Sequence, residues 1–209
     1  RQMCIRDSKN TDGETAPLLV AAALGGYLSV LEDLLRIEGI KVNRASEPTG
    51  FTALIAAAQK DHVDCVARLL AEPGIEVNQA TKSGVTPLFS ACQCGHVRSV
   101  KLLLADERVR VNQATRDDAT GGGGTLQSVT PLRIAAQFGR LGVVRVLVEQ
   151  DGIDLDKPGN TAVRPEIGFQ SPLQVARELG HDAIVEVLLA AGAKDDTAAV
   201  RFGAKTPNG

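Results

Sequence analysis

Three histidines are the residues in this chain best suited to chemistry, because imidazole serves as a metal ligand and as a general acid or base. His62, His96 and His181 occupy the same place in three copies of one pattern, each just before an apolar helical stretch. Equivalent positions of successive copies do not converge, whereas a zinc site needs clustered ligands at short, regular spacing. We therefore interpret the histidines as structural residues between two helices and predict no metal site.

Two other candidate sites lack the geometry or the motif that they need. Cys92 and Cys94 are two residues apart in a predicted helix, so their side chains point about 200° apart and cannot chelate one ion. Gly121 to Gly124 lack the Lys-Ser/Thr pair and the preceding strand of a phosphate-binding loop. No nucleophile elbow or distinctive acid pair occurs. We expect a protein that is not an enzyme and binds no cofactor.

Composition predicts a folded, all-α domain. The 209 residues are 44% hydrophobic, which is enough for one domain with a sizeable core. Aromatic residues make up only 3% and Trp is absent, while Ala and Leu abound. This balance favours closely packed short helices over a β-sandwich that is filled by large rings.

The charge pattern argues against nucleic acid and membrane partners. The 23 basic and 25 acidic residues are interspersed and leave a net charge of −2, so no field of one sign attracts phosphates or anionic lipid. We find no run of about 18 apolar residues and no hydrophobic leader. We expect a monomer whose partner is a protein.

The cysteines favour a reducing compartment. Cys4, Cys65, Cys92 and Cys94 lack the regular spacing of a disulfide framework, and three of them lie in apolar helical patterns. We expect free thiols in an intracellular protein of the cytoplasm.

One segment of eleven residues recurs along the chain. It reads TALIAAAQKDH at 52–62, TPLFSACQCGH at 86–96, TPLRIAAQFGR at 130–140 and SPLQVARELGH at 171–181, and PLLVAAALGGY at 17–27 fits the same frame. An apolar helical run follows each copy. In the third copy, Thr86 is suited to cap the first helix and Gly95 to end it. The repeating unit is therefore a pair of short helices, which are stable only when stacked.

These segments resemble the ankyrin repeat, which has a T-P-L-H-x-A signature and a period of about 33 residues. The resemblance covers roughly residues 11–196 and implies an α-solenoid of about five helix-turn-helix repeats with hairpin fingers. We place the repeats at about 11–43, 44–78, 79–112, 113–156 and 157–196, between an N-terminal segment 1–10 and a C-terminal tail 197–209. The signature His is replaced in four copies by Ile55, Phe89, Arg133 or Gln174, which leaves open whether its bond to the neighbouring finger is made.

The two ends differ in character. The string Met3 to Asp7 resembles a translated sequencing-library end, so residues 1–10 are expected to be artefactual or disordered. Leu18, Leu19 and Val20 make the first copy too apolar for a terminal cap, which predicts further repeats or another domain upstream in a longer protein. Arg177 and the acidic residues around it predict a polar C-terminal cap.

Two loops between repeats are lengthened. Thr115 and Thr130 are 15 residues apart where Thr81 and Thr86 are 5 apart, and Asp156 and Ser171 are also 15 apart. The first insertion, which contains Gly121 to Gly124, is expected to be flexible, and the second, with Pro158 and Pro165, stiffer. Each is either a specificity loop or a tolerated surface insertion.

Three sets of positions are not required for packing of the stack. They are the residue before each Thr or Ser, the two residues that follow each pair of small residues (Ala57-Ala58, Ala91-Cys92 and Ala135-Ala136), and the finger tips. The resemblance implies that these positions line the concave groove that binds a partner protein. The predicted partner-binding residues are Phe51, Gln59, Lys60, Lys82, Ser83, Val85, Gln93, Gln137, Phe138, Phe169 and Gln170, and Val129 belongs to the same set of positions. For Phe51 and Phe169 the alternative is packing under the neighbouring fingers.

The function predicted from these patterns is that of a scaffold for protein–protein interaction. The alternative is a regulatory or targeting segment of a larger enzyme or channel of which this chain is a fragment. A purely structural spacer is a third possibility, and it would have a groove without aromatic residues.

Deletion of Asp118 to Gln127 tests whether the Gly-rich insertion contributes to folding. The deletion restores the five-residue spacing, so we expect a nearly unchanged thermal midpoint because loops accept added length at small entropic cost. Thermal denaturation followed by circular dichroism measures this. Loss of cooperative unfolding would show that the segment packs into the stack.

Overall fold

Ten short helices in the described part of the chain form five consecutive pairs. A computed structural model describes residues 17–116, 126–161 and 170–195. The helices are α1 (Leu18–Gly25), α2 (Leu28–Leu35), α3 (Ala53–Gln59), α4 (Val63–Leu70), α5 (Pro87–Cys94), α6 (Val97–Leu104), α7 (Pro131–Gln137), α8 (Leu141–Val148), α9 (Pro172–Glu178) and α10 (Asp182–Ala190). Cys4, Phe169, both terminal segments and the Gly-rich run lie outside the described residues.

The helices lie in two rows. The first helices of the pairs, α1, α3, α5, α7 and α9, contact one another in sequence and form an inner row. The second helices, from α2 to α10, form an outer row in the same order, and each helix also packs against its partner in the pair. The core lies between the two rows and between successive pairs. This arrangement confirms the predicted all-α helical solenoid.

Local sequence signals set the helix ends. The hydroxyls of the N-cap residues Thr52, Thr86, Thr130 and Ser171 accept the backbone N–H three residues later, at 3.1 to 3.3 Å. Pro follows the cap in α5, α7 and α9, where its missing N–H costs no helical bond. Gly95 ends α5 with φ 88°, a left-handed conformation that only glycine adopts readily. The cap and stop predicted for the third copy are confirmed.

Small residues allow the inner helices to approach closely. Ala57, Ala58, Ala91 and Cys92 are completely buried, as are Ala135 and Ala136. Between the rows, Leu69, Leu103, Leu147 and Leu188 are completely buried as well. Since each helix has only seven to nine residues, this burial between neighbours supplies the stability that an isolated helix of this length lacks.

The two lengthened loops meet each other. Strand β1 (Leu126–Gln127) pairs antiparallel with β2 (Asn160–Thr161), with Leu126 opposite Thr161 and Gln127 opposite Asn160. The insertions therefore join the third and fourth inter-repeat loops through backbone hydrogen bonds, which the loop-length comparison did not predict. The expectations for Gly121 to Gly124 and for Pro165 fall on residues that the structure does not describe.

Leu103→Ala tests the packing between the rows. The side chain is completely buried in α6, so its truncation should leave a cavity and cost about 2–5 kcal/mol of unfolding free energy. Denaturant titration measures this cost. Leu189→Ala, the same change at a position of α10 that is 39% exposed, is the matched control and should cost less than about 1 kcal/mol. Equal losses in the two variants would contradict the assigned core.

The buried thiols should react slowly. Cys65 and Cys92 are buried, and burial raises the pKa of both thiols, at Cys65 with a smaller contribution from the negative charge of Asp64. Because the thiolate is the reactive form, a thiol reagent at neutral pH should label the half-exposed Cys94 before Cys65 and Cys92. Mass spectrometry of peptides after timed labelling measures the order. Labelling of Cys65 as fast as that of Cys94 would contradict the helix register.

Candidate functional site

The histidines join successive repeats rather than forming one site. The Nε2 atoms of His62, His96 and His181 lie 3.1, 2.9 and 3.2 Å from the backbone oxygens of Leu24, Gln59 and Gln137, so each ring donates to the inner helix of the preceding repeat. Arg140 replaces the histidine in the fourth copy, and its Nε donates to Gln93 O at 3.0 Å. Within the described ranges there is no cluster of His, Cys, Asp and Glu suited to a metal ion.

These bonds hold the ends of the inner helices in matching positions. Lys60, Phe138 and Leu179 are the C-cap residues of α3, α7 and α9, and Cys94 occupies the corresponding position of α5. Lys60, Phe138 and Leu179 are exposed, and Cys94 is half-exposed. We call the surface formed by this row and the adjoining fingers the groove. A row of equivalent positions on a fixed backbone can vary in side chain without disturbing the stack.

Phe138 and Leu179 form an exposed apolar pair in the groove. Phe138 is 45% exposed and Leu179 is 41% exposed. Because α7 and α9 are neighbours in the inner row, the two positions lie roughly 10 Å apart. The guanidinium carbon of Arg140 lies 6.0 Å from the Phe138 ring centroid, a cation–π contact that orients the ring. Exposed large apolar residues that adjoin each other are typical of binding surfaces.

The backbone oxygens of the three glutamines in the groove accept hydrogen bonds from the following repeats. Gln59, Gln93 and Gln137 are half-buried, and each backbone oxygen accepts one of the His or Arg hydrogen bonds. Gln137 Oε1 also accepts Arg133 Nη1 at 2.9 Å, which holds its side chain in place. The repeated glutamine therefore has a structural role at its backbone, and at Gln137 the side chain is held in place as well.

Arg133 carries a buried positive charge beneath the groove. The residue is 2% exposed, and its Nε donates to Gln170 O at 3.0 Å. Burial lowers the pKa of the guanidinium to about 10, so it stays charged at neutral pH. Arg133 replaces the signature His and bonds the finger of the next repeat. In the fourth repeat, therefore, the signature position does bond the neighbouring finger, with Arg in place of His.

The fingers are tied together along the stack. Lys82 N donates to Thr49 O at 3.0 Å, and Arg116 N donates to Ser83 O at 3.2 Å. Lys82 Nζ and Glu47 Oε2 lie 2.7 Å apart, but both side chains are exposed, so this ion pair adds little stability. Lys82 and Ser83 thus lie in the turn of one finger, where Lys82 is exposed and the half-buried Ser83 shares a hydrogen bond with Thr81.

The residues before the cap positions pack more tightly than expected. Val129 is completely buried in the core, so the expectation that packing does not require it is wrong. Phe51 and Val85 are half-buried and also pack against the core, which supports the alternative interpretation for Phe51. The physical reason is that these side chains pack against the core, and at Val129 the bond from its N–H to Thr115 Oγ1 also closes the base of the finger. These three residues anchor fingers.

Gln170 is held by its neighbours at the last finger. It is half-buried, its Nε2 donates to Glu178 Oε2 at 2.6 Å, and its backbone pairs with Gly159. Phe169 lies outside the described residues. Of the predicted partner-binding residues, the structure therefore places Lys60, Lys82 and Phe138 as exposed side chains at the groove or its rim.

The groove also has features that the sequence interpretation missed. The contact of Arg140 with Phe138 could have been predicted from one signal, since Arg140 stands where three other copies have His62, His96 and His181. The bond from Arg133 to Gln170 had no local signal, because the two residues are 37 positions apart.

Comparison with known families gives consistent matches. A family described as ankyrin repeats (3 copies) matches residues 18–117, and a single ankyrin repeat matches residues 129–160. A search of the curated proteins gave no match. None of the described helices is long and apolar enough to cross a membrane. Ankyrin repeats generally mediate protein–protein interactions and are typically non-catalytic modules. The chain belongs to the ankyrin repeat family.

Proposed function

We propose that this chain is a scaffold that holds a partner protein in the groove, with Phe138 and Leu179 as the apolar anchor. The observation that carries this proposal is the exposure of these two side chains at equivalent positions of neighbouring repeats. Neither belongs to the buried core, and both lie in the groove, the surface at which the ankyrin resemblance implies partner binding. An aromatic anchor that is buried at the centre of an interface typically dominates the binding energy.

The surroundings of Phe138 favour its use as an anchor. Arg140 is held by its bond to Gln93 O and lies over the ring, so the ring has a preferred orientation before binding. Because less side-chain freedom is then lost on association, more of the contact energy appears as affinity. The partner segment that fits here presents an apolar side chain to the space between Phe138 and Leu179.

The outer parts of the groove would contribute specificity. Lys60 is exposed near the amino-terminal half of the row, and Lys82 lies at a finger tip. Charges at the rim of an interface mainly influence the association rate and the choice of partner. We therefore assign affinity to the apolar pair and selectivity to Lys60, Lys82 and the fingers.

Phe138→Ala tests this assignment with linear peptides selected for binding from a displayed random library. Phe138 is 45% exposed and lies outside the core, so stability should fall by less than about 1 kcal/mol. Affinity for the selected peptides should fall by about 2 kcal/mol, or roughly thirtyfold, because an anchor is lost. Denaturant titration and fluorescence anisotropy measure the two quantities.

Two variants serve as matched controls. Phe89→Ala removes the same ring from the core and should cost about 3–5 kcal/mol of stability. Tyr27→Ala removes an exposed aromatic residue outside the groove and should leave peptide affinity unchanged. If the peptides lose affinity in Tyr27→Ala and keep it in Phe138→Ala, the groove is not the binding surface.

A further inference from the structure

The first helix pair exposes an unusual share of the apolar surface. Six of the nine exposed large hydrophobic residues in the described ranges lie between positions 18 and 40, namely Leu18, Leu24, Tyr27, Val30, Ile37 and Ile40. The last helix pair has two, Leu179 and Leu189. The N-terminal end of the stack therefore exposes more large apolar side chains than the C-terminal end does.

Comparison of equivalent positions identifies the face that these residues occupy. Val30 is 48% exposed, whereas its counterparts Cys65, Ser99, Val143 and Ile184 are at most 2% exposed. Leu18 is exposed, and its counterparts Ala53, Pro87, Pro131 and Pro172 are buried. The later repeats bury these positions against the repeat before them. Val30 and Leu18 thus belong to the N-terminal face, the surface on which a preceding repeat would stack.

A polar clamp accompanies each internal stacking surface. Asn43 Nδ2 donates to Gly74 O at 2.8 Å while its Oδ1 accepts Glu76 N at 2.9 Å. Asn78 makes the same two bonds to Arg108 O and Arg110 N, and Asn112 makes them to Gly152 O and Asp154 N, all at 2.6 to 2.9 Å. One side-chain amide therefore satisfies a backbone C=O and an N–H two residues apart in the following repeat.

The first repeat has a backbone C=O and a backbone N–H at the same two positions that the Asn side chains bond in the later repeats. Glu76, Arg110 and Asp154 each lie 24 residues after their N-cap residues, Thr52, Thr86 and Thr130. Lys41 lies 24 residues after Pro17, the N-cap of α1, and Gly39 is the counterpart of Gly74. Lys41 N and Gly39 O have no hydrogen-bond partner among the described residues.

Gly39 O and Lys41 N, which lack partners among the described residues, lie beside the apolar surface. Gly39 and Lys41 line a cleft of about 340 Å³. Its other lining residues are mostly apolar, with two charged residues at its edge: Pro17, Leu18, Leu19, Leu34, Ile37 and Ile40, and the charged Glu38 and Arg44. The cleft thus combines an apolar wall with one backbone donor and one backbone acceptor. A carboxamide has the matching donor and acceptor, whereas a carboxylate can only accept.

We propose that the N-terminal face is the docking surface of one further ankyrin-type repeat, which precedes the first described repeat in the same polypeptide. Its Asn side chain bonds Gly39 O and Lys41 N, and its helices cover Leu18 and Val30. At the described interfaces, Asn43, Asn78 and Asn112 make the same two bonds. The counterparts of Leu18 and Val30 are buried at these interfaces.

Head-to-tail stacking of a second copy of the chain on this face is unfavourable. At the other end of the stack, Arg177 stands where Ala58, Cys92 and Ala136 are buried, and it forms a bidentate ion pair with Asp195. In the last interface Asp156 replaces the Asn, and its Oδ1 accepts Lys194 N at 2.8 Å. The C-terminal end is thus polar, and stacking it on an apolar face would bury charged groups without new partners.

The test inserts a copy of residues 52–85 between Ala16 and Pro17 of the full chain. This places the copied Asn78 eight residues before Pro17, as Asn78 lies eight residues before Thr86. We expect amide exchange at Lys41 to slow by about tenfold or more, approaching that of Glu76, because the N–H gains a protected partner. A thiol placed by Val30→Cys should also be labelled at least about tenfold more slowly in the insertion protein.

Matched inserts separate the clamp from the apolar contact. An insert with Asn78→Ala in the copy should still slow labelling at Val30→Cys but leave Lys41 exchanging fast. An insert with Lys60→Ala in the copy, at an exposed groove position, should protect both sites.

Three results would overturn the proposal. The first is an inserted copy that stays unfolded by circular dichroism while the rest of the chain is folded. The second is protection of Lys41 that does not depend on the copied Asn78. The third is self-association of the chain without an insert, measured by sedimentation equilibrium, that protects Lys41, since this would identify a second copy as the occupant.

Discussion

The burial of each helix pair against its neighbours is the interaction on which the rest of the structure depends. Helices of seven to nine residues form too few internal hydrogen bonds to be stable in water. Completely buried small residues such as Ala57 and Ala91 let the inner helices pack closely, and buried leucines such as Leu103 fill the space to the outer row. Stability is therefore shared between adjacent repeats, and each repeat needs a neighbour to cover its apolar positions.

Apolar burial has no direction, so polar contacts must set how the repeats align. The His and Arg side chains at the start of the outer helices bond the inner helix of the preceding repeat. The Asn residues at the other side of the stack bond the backbone of the following repeat. With one set of bonds at each side, successive repeats are held in one register. The same register places Lys60, Phe138 and Leu179 in a row.

Packing and alignment of the repeats use residues other than the exposed residues of the groove, so the groove is available for binding. Residues that point between the rows are committed to packing, whereas the C-cap residues of the inner helices vary from Lys60 to Phe138 to Leu179 without an effect on the core. The fourth repeat shows how closely the two roles adjoin. Arg133 bonds the finger at Gln170 O and holds the Gln137 side chain, while Arg140 lies over the Phe138 ring. Structural bonds thus preorganise the surface proposed to contact the partner.

Local sequence rules were sufficient for the helix pairs, the cap at Thr86 and the stop at Gly95, because each depends on residues within a turn or two. They were also sufficient to place Phe138 at the end of an inner helix. The roles of Val129, Arg133 and the three Asn residues, and the pairing of β1 with β2, followed only from the tertiary structure. Their partners lie 14 to 42 residues away along the chain. Such contacts depend on how one repeat is rotated and shifted on the next, and that geometry results from packing summed over the whole interface.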